Sequence, residues 1–325
     1  GWRRRCWKPP GAGRNVPDPA GAEAQAAAGS QNRGSEDGLE EEKRKERRKQ
    51  NLVYGICGLL LMLVLLPIAL RRERQADLQA EVLFLGDSIL GQYRDETSIP
   101  SQAARLMDVS VFNGNFGGTT MSLQNREGRE AYYRDGLSFS QLAKAVAALD
   151  FGTQQTIRTK DYVTMHFGDI VDELDRVDFS MVRTLVVSYG MNDYVTGSPI
   201  CSPGEPEDTF SMEGAMRTGI RFLQQSYPAL RIVFVSPTYC WFIDDDGSVT
   251  STCENRDFGG GFLEDYVEAQ RRVAQECGVE FLDLYHGYYP HEEPQDWRVY
   301  TSDGMHPNPD GRQKIAETLA AYLEE

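Results

Sequence analysis

Four short clusters carry the residues best suited to chemistry: Gly86-Asp87-Ser88, Asn113-Gly114-Asn115-Phe116-Gly117-Gly118-Thr119-Thr120, Gly190-Met191-Asn192-Asp193 and Asp303-Gly304-Met305-His306. A serine hydroxyl is a weak nucleophile until a base takes its proton, and neutral imidazole does this near neutral pH. The imidazole in turn needs a carboxylate on its other nitrogen, which sets the tautomer and stabilises the imidazolium. Asp303 stands three residues before His306, a spacing that a tight turn closes. A tetrahedral intermediate also needs donors fixed in advance; the Ser88 N–H, a glycine N–H and the Asn192 amide offer three. These residue types point to acyl transfer, with Ser88 as nucleophile, His306 as base and Asp303 as the carboxylate behind it.

Such groups work only if the backbone delivers them to one place. Apolar, β-branched runs at Val82–Leu85, Val109–Phe112, Thr184–Tyr189, Ile232–Ser236 and Val279–Leu284 have the length of buried parallel strands. Helical patterns lie between and after them, at Gln102–Met107, Phe139–Leu149, Asp169–Val177, Met212–Tyr227, Phe262–Cys277 and Asp310–Leu323. This alternation predicts one doubly wound parallel sheet. Open sheets of that kind bind ligands beyond the carboxyl ends of their strands, where the first three clusters fall. The segment 120–161 fits no pattern well and leaves room for an extra helix and a long excursion. Residues 194–211 and 240–260, rich in Gly, Pro and Asp, read as loops.

The clusters, in this order, resemble the conserved blocks of the SGNH hydrolases, the GDSL esterase/lipase superfamily. The resemblance spans about residues 80–325 and rests on Gly86-Asp87-Ser88, Gly190-Met191-Asn192-Asp193 and Asp303-Gly304-Met305-His306. It implies a three-layer α/β/α sandwich with a five-stranded, flavodoxin-like parallel sheet. It also implies a triad of Ser88, Asp303 and His306, and an oxyanion hole built from Ser88, Asn192 and a glycine. Counting five residues on from Asn113 gives Gly118 for that glycine, with Gly117 as the alternative. The implied enzyme is a carboxylic ester hydrolase needing no metal or other cofactor.

Other residues have plainer readings. Asp87 suits shaping its turn through a local hydrogen bond, and Asp193 a turn or cap role. His166 suits capping or the surface. His286, His291 and Glu292 form no standard metal spacing and fall where they would line the pocket. Cys240 and Cys253 bracket one loop, and a disulfide there is slightly favoured over free thiols if the domain lies outside the cell; Cys277 is expected to be free. Tyr189, Tyr194, Trp241, Phe242, Tyr288 and Tyr289 either stack on a sugar or an acyl chain, or close the core.

Charge is unevenly divided. Residues 1–50 hold 12 Lys and Arg against 8 Asp and Glu; the rest hold 22 against 41, a net charge of −19. An acidic domain repels phosphate backbones, which argues against nucleic acid as a partner. Residues 1–50, without apolar period, read as a disordered cytoplasmic tail. Residues 52–70 carry no charge, so 51–71 reads as a transmembrane helix, with 72–80 as linker and 81–325 as the catalytic domain. A cleaved signal peptide or a buried core helix are the alternatives. Six basic residues precede the span and Arg71, Arg72 and Arg74 follow it, which favours a single-pass protein of the cell membrane with its C-terminal domain extracytoplasmic. The resulting expectation is an anchored esterase that removes an acyl group, such as O-acetyl, from a small molecule or glycan. An acyltransferase with a sugar acceptor, or a non-catalytic binding module, would use the same fold.

Overall fold

The computed structural model describes residues 41–58, 76–125, 133–157 and 167–325. The chain divides into two units, residues 1–73 and 74–325.

In the first unit residues 41–58 are helical. The last ten residues of the expected disordered tail are therefore helix. Their Glu, Lys and Arg are good helix formers, and Lys45 lies 3.0 Å from Glu41 one turn earlier, the favourable order of charges. Among the described residues no helix is long and apolar enough to cross a membrane. The expected span is described only as far as residue 58; the remainder, like most of the tail and His166, lies outside the described residues.

The second unit is built on the predicted sheet. Its strands are β1 (Val82–Gly86), β2 (Val111–Asn113), β3 (Thr184–Ser188), β4 (Arg231–Val235) and, last in the chain, β7 (Glu280–Leu282). They pair in the order β2-β1-β3-β4-β7, every pair parallel. β1 is buried along its whole length, as continuous apolar strands covered on both faces must be. The path leaves β1 outward to β2 and then returns across it to β3, so the strand order reverses beside β1. Ligands bind at such a switch point because the two crossovers part there and open a crevice.

The helices form two groups. α2 (Ile99–Met107) packs against α10 (Pro309–Glu324), while α3 (Phe139–Ala148), α7 (Met212–Ser226) and α8 (Leu263–Cys277) pack in a row. Right-handed crossovers put α2 on one face of the sheet and α3, α7 and α8 on the other, which makes three layers. Gly278, in the left-handed conformation, stops α8. Segment 133–157 adds a short 3-10 turn and α4 (Gly152–Ile157) around α3.

Residues 240–260 are not all loop. β5 (Trp241–Ile243) and β6 (Val249–Thr252) form an antiparallel hairpin. Its turn, Asp244-Asp245-Asp246-Gly247, closes with the Gly247 N–H donating to the Asp244 carbonyl at 2.9 Å. Turn residues dominate the composition of this stretch and hide two short strands whose Val249, Thr250 and Thr252 favour extended backbone.

Candidate active site

β1 delivers Ser88. Its last residue, Gly86, has no room for a side chain: a Cβ there would meet the Ser188 carbonyl at 2.5 Å and Asn115 Oδ1 at 2.6 Å. Asp87 then caps the short helix α1 (Ser88–Gly91), its carboxylate accepting from the Ile89 N–H at 2.9 Å. The local hydrogen bond its type suggested is thus a helix cap, and Ser88 becomes the first residue of the helix. Asp87 is almost wholly buried. Burial pushes its carboxyl up to about 7, against the Ile89 hydrogen bond, the nearby His306 and the Asn192 amide, while the Asp193 charge pushes the same way as burial.

The other end of the chain supplies the base. Ser88 Oγ lies 2.9 Å from His306 Nε2, and His306 Nδ1 lies 2.7 Å from Asp303 Oδ2. The second Asp303 oxygen accepts from the backbone N–H of His306 at 2.7 Å and of Met305 at 3.0 Å. Gly304, at the tip of this turn, has φ +85°, and a Cβ on it would strike the Trp241 carbonyl at 2.5 Å. Its own carbonyl accepts from the Trp241 N–H at 2.8 Å, so the β5–β6 hairpin props the imidazole turn. Burial pushes the Asp303 carboxyl up, but hydrogen bonds from the His306 ring and backbone, the His306 charge and the Met305 N–H outweigh it and bring it to about 2. The Asp303 hydrogen bond raises the His306 pKa; burial opposes, and the Asp303 and Asp87 charges add to the rise.

Asn192 is the second residue of α6 (Met191–Val195), which follows β3, next to β1 in the sheet. Its Nδ2 donates to the Thr119 carbonyl at 2.9 Å and to Asp87 Oδ2 at 3.2 Å. The glycine pair follows β2. Gly114 N–H and Phe116 N–H donate to the Phe84 and Gly86 carbonyls, which carries this loop alongside the end of β1. A Cβ on Gly117 would sit 3.6 Å from Ser88 Cβ, and Gly118 is left-handed at φ +71°. Ser88, His306, Asp303, Asn192 and the glycine pair are thus gathered at one site.

Some contributors escaped the sequence reading. Asp193 is no mere turn residue: buried, it accepts from the N–H groups of Met121 at 2.7 Å and Ser122 at 3.0 Å and from Ser122 Oγ at 2.6 Å. It therefore ties α6, which carries Asn192, to the loop that carries the glycines. Thr119 holds Asn192 through its carbonyl, a backbone role that side-chain chemistry does not announce. A cleft of about 310 Å³ beside His306 is walled by the hairpin, with Phe242, Asp244, Thr250 and Arg256 among its lining.

Other candidates lie elsewhere. His286 Nδ1 lies 2.8 Å from Asp283 Oδ2 and its Nε2 3.3 Å from Glu264 Oε1, while His291 stacks on Tyr239. Neither histidine lines this cleft. Tyr189, Tyr194 and Tyr289 are buried and close the core; Trp241, also buried, and Phe242 line the cleft. Cys240 and Cys253 are unlinked buried thiols, which corrects the expected disulfide. The Cys240 N–H donates to Cys253 Sγ at 3.4 Å, and the Cys253 N–H to the Cys240 carbonyl at 3.1 Å, so hydrogen bonds close the base of the hairpin. Cys277 is a free thiol, as expected.

Residues 84–314 match the GDSL-like Lipase/Acylhydrolase family. Over 111 residues the chain is 25% identical to the human isoamyl acetate-hydrolyzing esterase 1 homolog; that match covers 34% of this chain and 43% of the relative, so the chain spans under half of that protein's length. The crystal structure of a protein from Lactobacillus plantarum covers 75% of this chain and 96% of its own at 21% identity, with a TM-score of 0.51. Another crystal structure covers 78% and 98% at 20% identity, with a TM-score of 0.54. At such identities these two likenesses establish the fold.

Proposed function

The chain belongs to the GDSL-like lipase/acylhydrolase family, one of the SGNH hydrolases and so of the carboxylic ester hydrolases, and from that premise we propose that residues 81–325 hydrolyse an acyl ester through Ser88, His306 and Asp303. The observation that carries this reading is the unbroken chain from Ser88 Oγ to His306 Nε2 at 2.9 Å and from His306 Nδ1 to Asp303 at 2.7 Å. Asp303 is a carboxylate and only accepts, so Nδ1 carries the ring proton and Nε2 is left to take the serine's.

Ser88 Oγ attacks the ester carbonyl as its proton passes to His306. The oxyanion is met by the Ser88 N–H, by the Gly118 N–H (Gly117, next to Ser88, is the alternative) and by the Asn192 amide. Both Asn192 N–H bonds are already engaged, and the longer one, to Asp87, is the one that yields as negative charge grows on the substrate. His306 then protonates the departing alcohol, and water, deprotonated by the same imidazole, releases the acid from Ser88.

The cleft suits a short acyl group on a polar, glycan-like alcohol. At about 310 Å³ it is small, and Asp244, Thr250 and Arg256 stand in its wall beside the aromatic Phe242. Residues 51–71 serve as the anchor, with the ester-cleaving domain outside. In support, the basic helix of residues 41–58 runs into the uncharged stretch with Leu52, Val53, Tyr54 and Ile56 all exposed, apolar surface that lipid would cover.

The test of the chemistry is hydrolysis of p-nitrophenyl acetate by the purified full chain. Ser88→Ala is expected to remove nearly all of the rate, and equal rates for the two proteins would refute the assignment. The anchor is tested separately: the full chain should stay with membranes through an alkaline carbonate wash, and its release would refute it.

A further inference from the structure

The wall of the cleft carries a cation that the ester chemistry above does not use. Arg256 follows β6, and its guanidinium carbon lies 4.5 Å from the centre of the Phe242 ring and 4.7 Å from that of Phe258. The placement is supported from behind. Tyr194, two residues after Asn192, donates its hydroxyl to the Arg256 carbonyl at 2.6 Å, and its ring packs edge-on against Phe258 at 5.2 Å. Phe242 and Phe258 pack on each other at 5.4 Å. The aromatic cluster thus joins the helix bearing Asn192 to the hairpin and holds the guanidinium at the cleft.

Several arginines elsewhere in this domain are paired with acids. Arg217, Arg231 and Arg271 each lie against carboxylates. Among the described residues Arg256 has no carboxylate within 4.0 Å, only a long hydrogen bond of 3.5 Å to Ser251 Oγ. The carboxylates near it in sequence are engaged: Glu254 accepts from the Tyr239 hydroxyl at 3.0 Å, and Asp257 accepts from the N–H groups of Gly259 at 2.6 Å and Gly261 at 3.0 Å. A guanidinium stacked on rings keeps its in-plane N–H groups for an external acceptor, and its planar fork matches a carboxylate. In a domain of net charge −20 (residues 81–325), a cation without a carboxylate partner beside His306 marks where a ligand's negative charge would be welcome.

We propose that Arg256 is a specificity-determining residue and that the ester this site cleaves carries a carboxylate, on either its acyl or its alcohol side, bound by Arg256. This rests on the reading of Ser88 and His306 as the hydrolytic pair. Asp244 lines the same cleft and acts against it, so the two residues set the charge preference between them.

The experiment measures kcat/KM of the full chain for two matched pairs of esters. The acyl-side pair is the p-nitrophenyl monoester of glutaric acid against p-nitrophenyl butyrate; the alcohol-side pair is p-acetoxybenzoate against p-acetoxybenzamide. The readout is the ratio of charged to neutral ester within each pair, compared between proteins, which cancels intrinsic reactivity and the fraction of folded enzyme. In the pair that places its carboxylate at Arg256, the ratio is expected to fall about tenfold in Arg256→Gln and less in Arg256→Lys, and to rise about threefold in Asp244→Asn. Glutarate should inhibit p-nitrophenyl acetate hydrolysis by the unmutated chain at lower concentration than glutaramide, a check that needs no variant. Ratios within twofold of wild type in Arg256→Gln for both pairs, or equal inhibition by glutarate and glutaramide, would overturn the proposal while leaving the esterase reading intact. No turnover of any of the four esters by the unmutated chain would overturn the esterase reading and this inference with it.

Discussion

Two Asp-x-x-His turns stand in this domain, built alike and placed differently. In the turn from Asp303 to His306, one carboxylate oxygen takes the imidazole Nδ1 at 2.7 Å and the other takes the backbone N–H groups of Met305 and His306. In the turn from Asp283 to His286, one oxygen takes Nδ1 at 2.8 Å and the other takes the N–H groups of Tyr285 at 2.8 Å and His286 at 3.1 Å. In both, partial burial pushes the aspartate up and the hydrogen bonds overcome it, leaving each carboxyl at about 2. Both imidazoles have raised pKa values. The difference is at the far nitrogen. His306 Nε2 meets Ser88 Oγ, whereas His286 Nε2 meets Glu264 at 3.3 Å, and Arg271 pairs with Asp283 behind it. A carboxylate at Nε2 favours an imidazolium, which cannot accept a proton. An Asp–His pair is thus a local product of one turn; it becomes a base only where the sheet brings a nucleophile to its open side.

Substitution of the two histidines tests that contrast most strongly. His306→Asn should lower kcat/KM for p-nitrophenyl acetate by about a thousandfold or more, as loss of a triad member does. His286→Asn should change it less than about threefold, since its effect is on a surface ion pair. Comparable losses from both would show that the second turn takes part in catalysis. The aspartates extend the comparison. Asp303→Asn should cost roughly a thousandfold or more in rate through the wrong tautomer. Asp283→Asn should act on stability instead, by about 1–2 kcal/mol for its lost hydrogen bonds, read as a lower midpoint in urea.

The same contrast shows what a sequence exposes and what it conceals. All five strands of the parallel sheet lie within two residues of their expected bounds, because each is a short, largely apolar run. Ser88, Asn192, Asp303 and His306 are legible because each follows a strand or a turn in a recognisable order. The Asp283-Leu-Tyr-His286 spacing is as legible as Asp303-Gly-Met-His306, yet spacing alone does not say which faces a serine 218 residues away. The roles of Asp193 and the Thr119 carbonyl depend on contacts more than 70 residues distant in the chain. The hairpin that walls the cleft was masked by its Asp-rich turn, and with it the placement of Arg256.

Asp87 makes a third carboxylate for comparison, and its balance is reversed. Asp303 and Asp283 have hydrogen bonds enough to overcome burial; Asp87, fully enclosed, does not, and its pKa stands near 7. A carboxyl raised in the folded state is easier to bury protonated, so its contribution to stability falls as pH rises from about 4 to about 7. The loss approaches roughly 4 kcal/mol at about one pKa unit per 1.4 kcal/mol. Urea unfolding of the wild type and of Asp87→Asn should therefore diverge across that window, the variant losing less stability. Parallel curves would place Asp87 with the well-bonded carboxylates.

The smallest effect is a shift in the pH dependence of kcat/KM. His306 must be neutral to take the serine proton, so activity rises with pH through its ionisation. Because the Asp303 hydrogen bond and the Asp303 and Asp87 charges favour its protonated form, the midpoint should lie above the ordinary histidine value of about 6.5. Asp303→Asn should move the midpoint of its residual activity downward, since burial then acts with less opposition. Asp87→Asn should move it down by less and leave a limb that fits a single ionisation, because two coupled groups titrate together in the wild type. His286→Asn should leave the midpoint in place, although His286 itself, followed by NMR, should also titrate above its ordinary value. A limb that moved with His286 and not with Asp303 would assign the kinetic base to the wrong turn, and the contrast between the two would have to be redrawn around Glu264.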